Sequence, residues 1–488
     1  MCPATTDTSR RASDASAPDA KAPDAAGRCA PAPGLASGRS LVGHGVAAAT
    51  VGFGLYLTWH VVLVQVLPPR TDHVVVGGAV LLGGVAALAA RARGGLVVVG
   101  LVCFWAVIGV LLARWVAGGH ADEVLLTEAR SMAAFAACSV ALVLLSRGHR
   151  SGVAALRWMW LLVVVTNLPV GAWEALTRQR LVPDPIFGPV GDPSAVFHNP
   201  NNFAAVLLLG IGLCLLWLAE RPPAAMAVLL IAVAAVSAWL LTLTHSRMAL
   251  AFCFPLAVLV AVGAAHRWAW HRRLITWAGQ HPATARLSVA AAVMVTMAVF
   301  TVPRLFGLNL LYRVLFPDDA AISASDRYRL DLLRIGGQLW ASRPWTGVGG
   351  GRFETLLTEA RPDIVPVLPV HNVVVEVLCE YGLVALVPLL ALFVVLSARA
   401  VPRPHDERRG AGAQDQVNQA GATAWWSLDE LGGRYLLAVV LLALVYGGGI
   451  IDSALGWMPW WMMLATAVSL AWWLGPRGAR ALAAGGQD

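Results

Sequence analysis

Charge is scarce in this chain, and lysine is all but missing. Only 13% of its 488 residues are charged and 58% are hydrophobic, whereas a soluble domain is about 25% charged and about 45–50% apolar. That balance excludes an ordinary soluble protein and points to the lipid bilayer. Lys21 is the single lysine, so the net charge of +8 rests almost entirely on arginine. In a soluble protein such a surplus suggests nucleic acid. In a chain this apolar the placement of the arginines carries the information, and no nucleic-acid partner is expected. The seven cysteines lack metal or redox spacing. Cys103, Cys138, Cys214, Cys253 and Cys379 each stand alone in an apolar run, as small hydrophobes do, so no disulfide framework is expected. The inverted internal repeat built into many secondary transporters is also missing. Residues 1–40 have almost no large apolar side chains and cannot bury enough surface to fold, so they are expected to form a disordered cytoplasmic tail. They do not read as a signal peptide, because no apolar stretch follows their first arginines until Leu41.

What the chain does hold is long apolar runs. A helix needs roughly 20 apolar residues to cross the hydrocarbon core. Such runs lie near 43–67, 73–90, 95–118, 129–146, 153–176, 202–219, 223–243, 248–265, 287–303, 372–398, 433–453 and 457–474, about twelve spans in all. With the amino terminus inside, the short cytoplasmic loops and the C-terminal tail hold 17 arginines, among them Arg147, Arg267 and Arg403. The opposite short loops hold six: Arg70, Arg114, Arg130, Arg178, Arg180 and Arg247. This positive-inside split agrees with an even number of spans and two cytoplasmic termini. The expected fold class is therefore an all-α polytopic membrane protein. After the tail at 1–40, spans one to nine occupy 41–303, and a long outer loop runs over 304–371. Spans ten to twelve occupy 372–474, interrupted by a polar cytoplasmic loop at 399–432, and 475–488 is a cytoplasmic tail. The outer loop carries eight arginines against seven carboxylates. Leu330, Leu333, Leu339 and Trp340 recur at helical spacing in it, which predicts a helix over Ser325–Ser342.

Three polar clusters fall in three different outer loops. Phe197-His198-Asn199-Pro200-Asn201-Asn202-Phe203 enters the sixth span, and His245-Ser246-Arg247 joins the seventh to the eighth. The third runs from Arg327, Arg329 and Arg334 to His371 and Asn372, which open the tenth span with Glu376 and Glu380 inside it. Taken singly, Asn-Pro-Asn is a common helix start, Arg247 an interfacial anchor and His371-Asn372 a helix cap. The two glutamates are harder to dismiss. Acidic groups in an apolar span are expensive and face the protein interior or a water-filled cavity. Four residues apart, they share one helical face, and Glu380 is expected to pair with an arginine.

Together the clusters suggest a chemistry. Several arginines around one histidine suit a phosphate-rich anion and one group that titrates near neutral pH. No ATP or nucleotide sugar reaches the outer face of a cytoplasmic membrane, so a transferase there needs an activated substrate delivered through the bilayer. A polyprenyl-pyrophosphate-linked sugar meets that need, with arginines neutralising the leaving pyrophosphate and the histidine deprotonating a hydroxyl. Gly347-Val348-Gly349-Gly350-Gly351 lacks the Gly-Lys-Ser/Thr ending of a phosphate loop and reads as a turn. Asp318-Asp319, after Pro317, reads as a solvated loop, so no metal is expected.

The stretch 195–390 resembles the O-antigen ligase family, which also contains O-antigen polymerases and bacterial protein O-oligosaccharyltransferases. The likeness rests on Arg329-Leu330-Asp331-Leu332-Leu333 leading to Arg343-Pro344-Trp345-Thr346-Gly347-Val348-Gly349, and on His371, Asn372, Glu380 and Gly382 at their spacing. Asn199-Pro200-Asn201-Asn202-Phe203-Ala204 and Ser246-Arg247 are further shared features. Positions 373 and 374, often polar and aromatic in relatives, are both valine here. The resemblance implies a GT-C-type, metal-independent, cofactor-free and inverting transferase in the bacterial inner membrane, its site facing the periplasm. It implies His371 as base, or as the group orienting the acceptor. Arg247 and Arg329 would hold the pyrophosphate, with Arg327 a rival for Arg329. Arg334, Asn201, Asn202, His198, His245, Asn372, Glu376 and Glu380 are the further substrate-binding candidates. The implied donor is undecaprenyl-pyrophosphate-linked O-antigen and the favoured acceptor lipid A–core, ahead of a polymerase or protein acceptor. A flippase for the same lipid-linked glycan is the rival from another class.

Overall fold

A computed structural model describes residues 47–59, 96–147, 150–268, 319–361, 369–402, 428–450 and 455–475, with Gly45 and Gln280 and short breaks at 120–121, 185–187 and 198. The expected spans at 73–90 and 287–303, both tails, Asp318 and most of the loop at 399–432 lie outside these residues. A short helix α1, Ala47–Trp59, comes first. It is followed by α2 Leu96–Ala117, α3 Glu123–Arg147, α4 Arg150–Thr177, α5 Pro200–Ala219, α6 Ala224–Leu243 and α7 Arg247–Arg267. Then come α8 Asp319–Ser342, α9 Phe353–Ala360, α10 Val373–Ala400, α11 Glu430–Ile450 and α12 Met458–Trp473. The one strand pairing among the described residues is a small antiparallel hairpin, β1 Gln179–Asp184 with β2 Gly188–Val190, in the α4–α5 connection.

Eight of these helices (α2 to α7, α10 and α11) are long and apolar enough to cross a membrane, and the protein is an all-α, multi-pass membrane protein. The helix predicted over 325–342 starts earlier, at Asp319. At 16 residues, α12 is only about 24 Å long, but it is buried from Pro459 to Ala471. It forms the centre of the bundle, packed against α2, α3, α4, α10 and α11. Trp460 and Trp461 fit that place because both indole N–H groups find an acceptor: Trp461 Nε1 donates to the Leu455 carbonyl (2.9 Å) and Trp460 Nε1 to that of Leu444 (3.2 Å). From α4, Trp160 Nε1 reaches Thr466 Oγ1 at 3.0 Å. Helices α6 and α7 lie at the rim and leave Val228, Ile231 and Phe254 exposed, as lipid contact requires.

Up-and-down succession puts the α2–α3, α4–α5, α6–α7 and α11–α12 connections and the start of α10 at one end of the bundle. The opposite end is fastened by charge. Arg157 of α4 meets Glu220 at 2.7 Å and lies 3.7 Å above the ring of Trp217. Arg267, ending α7, reaches Asp429 at 3.1 Å and Glu220 at 4.0 Å. The Arg434 guanidinium caps α10 through the carbonyls of Arg399 (2.6 Å) and Val401 (3.3 Å). Because Arg157 is 5% exposed, its charge depends on Glu220. Glu220→Gln is expected to destabilise the detergent-solubilised protein by about 1–3 kcal/mol, read as a lower melting temperature. An unchanged melting temperature would mean the network contributes nothing.

The tenth span departs from the continuous helix expected over 372–398. At Gly382 the backbone turns to φ 74°, ψ −173°, and α10 is broken there. In an unbroken helix the N–H groups of Leu383 and Val384 bond the carbonyls of Cys379 and Glu380. Here those carbonyls accept instead from Val348 N (2.8 Å) and Gly349 N (3.1 Å), while Leu383 N and Val384 N donate to Pro344 O (2.9 Å) and Trp345 O (3.2 Å). The Pro344–Gly349 turn thus replaces both lost rungs, which lets a broken helix persist within an apolar span.

Candidate active site

Among the described residues, those singled out in the sequence lie on segments at the end of the bundle opposite the charged network. Asn199 caps α5, its side chain accepting from Asn201 N at 2.8 Å, and Pro200 occupies the first turn, where its missing N–H costs nothing. Asn201 is half-buried. Asn202 is buried, donates to the Phe197 carbonyl at 3.4 Å, and has a carboxamide oxygen without a hydrogen-bond partner among the described residues. His198 lies outside the described residues. Ser246 precedes the first residue of α7, Arg247, which is half-buried. The serine hydroxyl sits 2.7 Å from Tyr446 Oη on α11, and that same phenol donates to the Asn201 carbonyl at 3.4 Å. One tyrosine therefore touches two of the singled-out segments.

Helix α8 presents its two faces differently. Leu332 and Ile335 are buried, and half-buried Arg329 lies one turn before Leu332. Arg334 is exposed. Arg327 stands seven residues before Arg334, on that residue's side of the helix, and its side chain lies outside the described residues. Backbone position thus distinguishes the two rival arginines.

His371 is 8% exposed and holds a left-handed backbone, φ 57°. Asn372 caps α10 by accepting from Val374 N (3.0 Å) and Val375 N (3.2 Å). The next residue, Val373, approaches α11: a Cβ placed on Gly448 would come within 2.8 Å of its Cγ1. The start of α10 is therefore packed on the same end of α11 that carries Tyr446.

Glu376 and Glu380 are both buried and line a cavity of about 420 Å³ together with Glu123, Glu128 and Glu354. Pro369 and Val370, which lead into His371, also line it. Glu380 accepts from Phe353 N at 3.4 Å, and among the described residues no arginine pairs with it, unlike the pairing expected from its place in the span. Glu128 accepts from Tyr381 Oη at 2.7 Å. At the rim, Asp122 pairs with Arg352, and the Leu125 N–H, ahead of that arginine, holds the Asp122 carboxyl below the usual carboxylate range.

His245 is set apart from this group. It is exposed, and its Nδ1 lies 3.0 Å from Asp192 Oδ1, with Arg178 3.6 Å from the same oxygen. The adjoining loop is organised by Glu174, fully buried at the end of α4, which accepts from Leu181 N (2.8 Å), Ser194 N (2.7 Å) and Ala195 N (2.6 Å). Sequence reasoning passed over Glu174, Glu128 and Tyr446. The two acids meet the rule applied to Glu376 and Glu380, an acid inside an apolar run, and were findable by it.

No curated protein matches the chain. Residues 232–390, from α6 through the break in α10, match the sequence profile of the O-antigen ligase family.

Proposed function

We propose that the protein transfers O-antigen polysaccharide from undecaprenyl pyrophosphate to lipid A–core at the periplasmic face of the inner membrane. In this reading both termini are cytoplasmic, and the reaction is metal-independent and inverting. What supports the reading is that Arg247 opens α7, buried His371 directly precedes the cap of α10, and half-buried Arg329 lies on α8, which packs against α10. His371 takes the proton from an acceptor hydroxyl. The oxygen attacks the anomeric carbon, and the carbon–oxygen bond to pyrophosphate breaks. The electron pair leaves on undecaprenyl pyrophosphate, whose charge the two guanidinium groups offset in a partly desolvated site. The cavity lined by Glu376 and Glu380 is the acceptor side, where carboxylates accept hydrogen bonds from sugar hydroxyls. A transporter of the same glycan needs cations along both halves of its path, whereas the charged network at the other end is internally paired.

Deleting the gene in its native host and resolving lipopolysaccharide and lipid-linked glycans on gels tests the proposal. Loss of the whole O-antigen ladder with intact core, and polymer held on undecaprenyl pyrophosphate, is expected. Core bearing a single repeat would reassign the protein as a polymerase, and unchanged lipopolysaccharide would overturn the reading. In the complemented strain Arg329→Lys should restore ladder at about a tenth of the wild-type rate, because an ammonium lacks the planar fork that grips two phosphate oxygens. Full rescue by lysine would remove the bidentate role.

A further inference from the structure

Tyr446 lies outside the matched segment 232–390, belongs to no motif, and is fully buried on α11. A phenol has one proton and two lone pairs. If its proton goes to the Asn201 carbonyl, the Ser246 hydroxyl 2.7 Å away must donate to it, giving an ordered chain from Ser246 through Tyr446 to Asn201. Ser246 occupies the cap position of α7 yet makes no side-chain capping bond. A serine there ordinarily turns its oxygen to the first N–H groups of its helix; this one turns to Tyr446. The ring is held edge-on by Phe252 at 5.4 Å, so the hydroxyl has little freedom. Arg247 follows Ser246 directly, and Arg329 lies on α8, which packs against α10, whose first residue Val373 meets α11 at Gly448.

We propose that Tyr446 is a positioning residue for the donor pyrophosphate, its hydroxyl holding the starts of α5 and α7 in register so that Arg247 and Arg329 grip one ligand together. The inference rests on the proposed role of those two arginines. Because Tyr446 contributes through them, its loss acts on donor binding rather than on fold.

The test uses the full-length protein in detergent, with undecaprenyl pyrophosphate as the probe. Its Kd is measured beside the melting temperature for Tyr446→Phe, Ser246→Ala, the double variant, Arg247→Ala and Arg329→Ala. Tyr446→Phe should raise the Kd about tenfold, as loss of one hydrogen bond in a charged network does, with the melting temperature unchanged. Ser246→Ala should do the same, and the double variant should be no worse than either single, since both break one chain. An unchanged Kd in Tyr446→Phe overturns the inference, as does a fall in melting temperature without a change in Kd. Should Tyr446→Phe fail to fold, Ser246→Ala decides alone by the same criterion. If the arginine variants raise the Kd and Tyr446→Phe does not, only the tyrosine's role is lost. If the arginine variants bind the probe normally, the arginine reading fails and takes this inference with it.

Discussion

Replacing His371 with asparagine should slow transfer by a factor of about 10²–10⁴, the contribution expected of a positioned general base, while undecaprenyl pyrophosphate still binds. Asparagine is the better probe than alanine for a conformational reason. His371 holds φ 57°, a left-handed backbone that asparagine tolerates, whereas alanine adds strain of about 1–2 kcal/mol. A loss of activity in His371→Asn therefore reports the imidazole rather than a collapsed helix start. The cap on α10 belongs to Asn372, which keeps its bonds to Val374 N and Val375 N in the variant. Turnover of lipid-linked glycan by the purified protein, with binding of undecaprenyl pyrophosphate measured in parallel, separates the two roles. Full turnover in His371→Asn removes the histidine from the chemistry. Lost turnover together with lost donor binding would instead make it part of the pyrophosphate site.

The transmembrane helices were legible because their signal is long: twenty apolar residues in a row leave few alternatives to a helix in lipid. Every expected span that falls among the described residues has its helix, and the boundary shifts follow local chemistry. Helix α3 begins at Glu123 rather than near 129, because Asp122 accepts from Leu125 N and starts the helix ahead of the uninterrupted apolar run, which Glu123, Thr127, Glu128 and Arg130 delay. Part of the candidate site was legible too, since histidine, arginine and buried acids stand out against an apolar background. Its assembly was not. Tyr446 is one tyrosine in an apolar run, and nothing in its neighbours distinguishes it from an interfacial aromatic until Ser246 and Asn201, some 200 residues away in the chain, are seen against its hydroxyl. His245 shows the opposite limit. It adjoins Ser246-Arg247 in the chain, but the left-handed backbone at φ 50° and the pairing with Asp192 engage it with the α4–α5 loop. Residue type and proximity in sequence pointed to substrate, and only the tertiary partner gives it another place.

Gly382→Ala and Gly347→Ala should each leave little or no folded protein in the membrane, although both replace one small residue by another. The reason is the docking of the Pro344–Gly349 turn on the break in α10. Gly382 and Gly347 both have positive φ, 74° and 68°, where a side chain adds about 1–2 kcal/mol of strain. Strain of that size alone is survivable. Contact between backbones costs more: a Cβ on Gly382 would lie 2.3 Å from the Trp345 carbonyl, and one on Gly347 would lie 2.3 Å from the carbonyl carbon of Glu380. Neither neighbour is a side chain that can rotate away. Relieving the overlap means separating the turn from α10, which breaks the bonds from Val348 N to Cys379 O and from Leu383 N to Pro344 O with their two neighbours. Four backbone groups on α10 then lack partners roughly 14 Å along its axis from Val373, inside the span, where each costs several kcal/mol. The two glycines are thus opposite sides of one contact, and the double variant should be no worse than either single. Gly337 is the control, because a methyl group there would meet nothing within 4 Å. Gly337→Ala should accumulate normally and, being inside a helix, gain slightly in stability. Membrane-extracted yield and size-exclusion profiles read all four proteins. Normal yield of Gly382→Ala would mean that the turn and the broken helix can part without loss, and the spacing from His371 to Gly382 would then need another explanation.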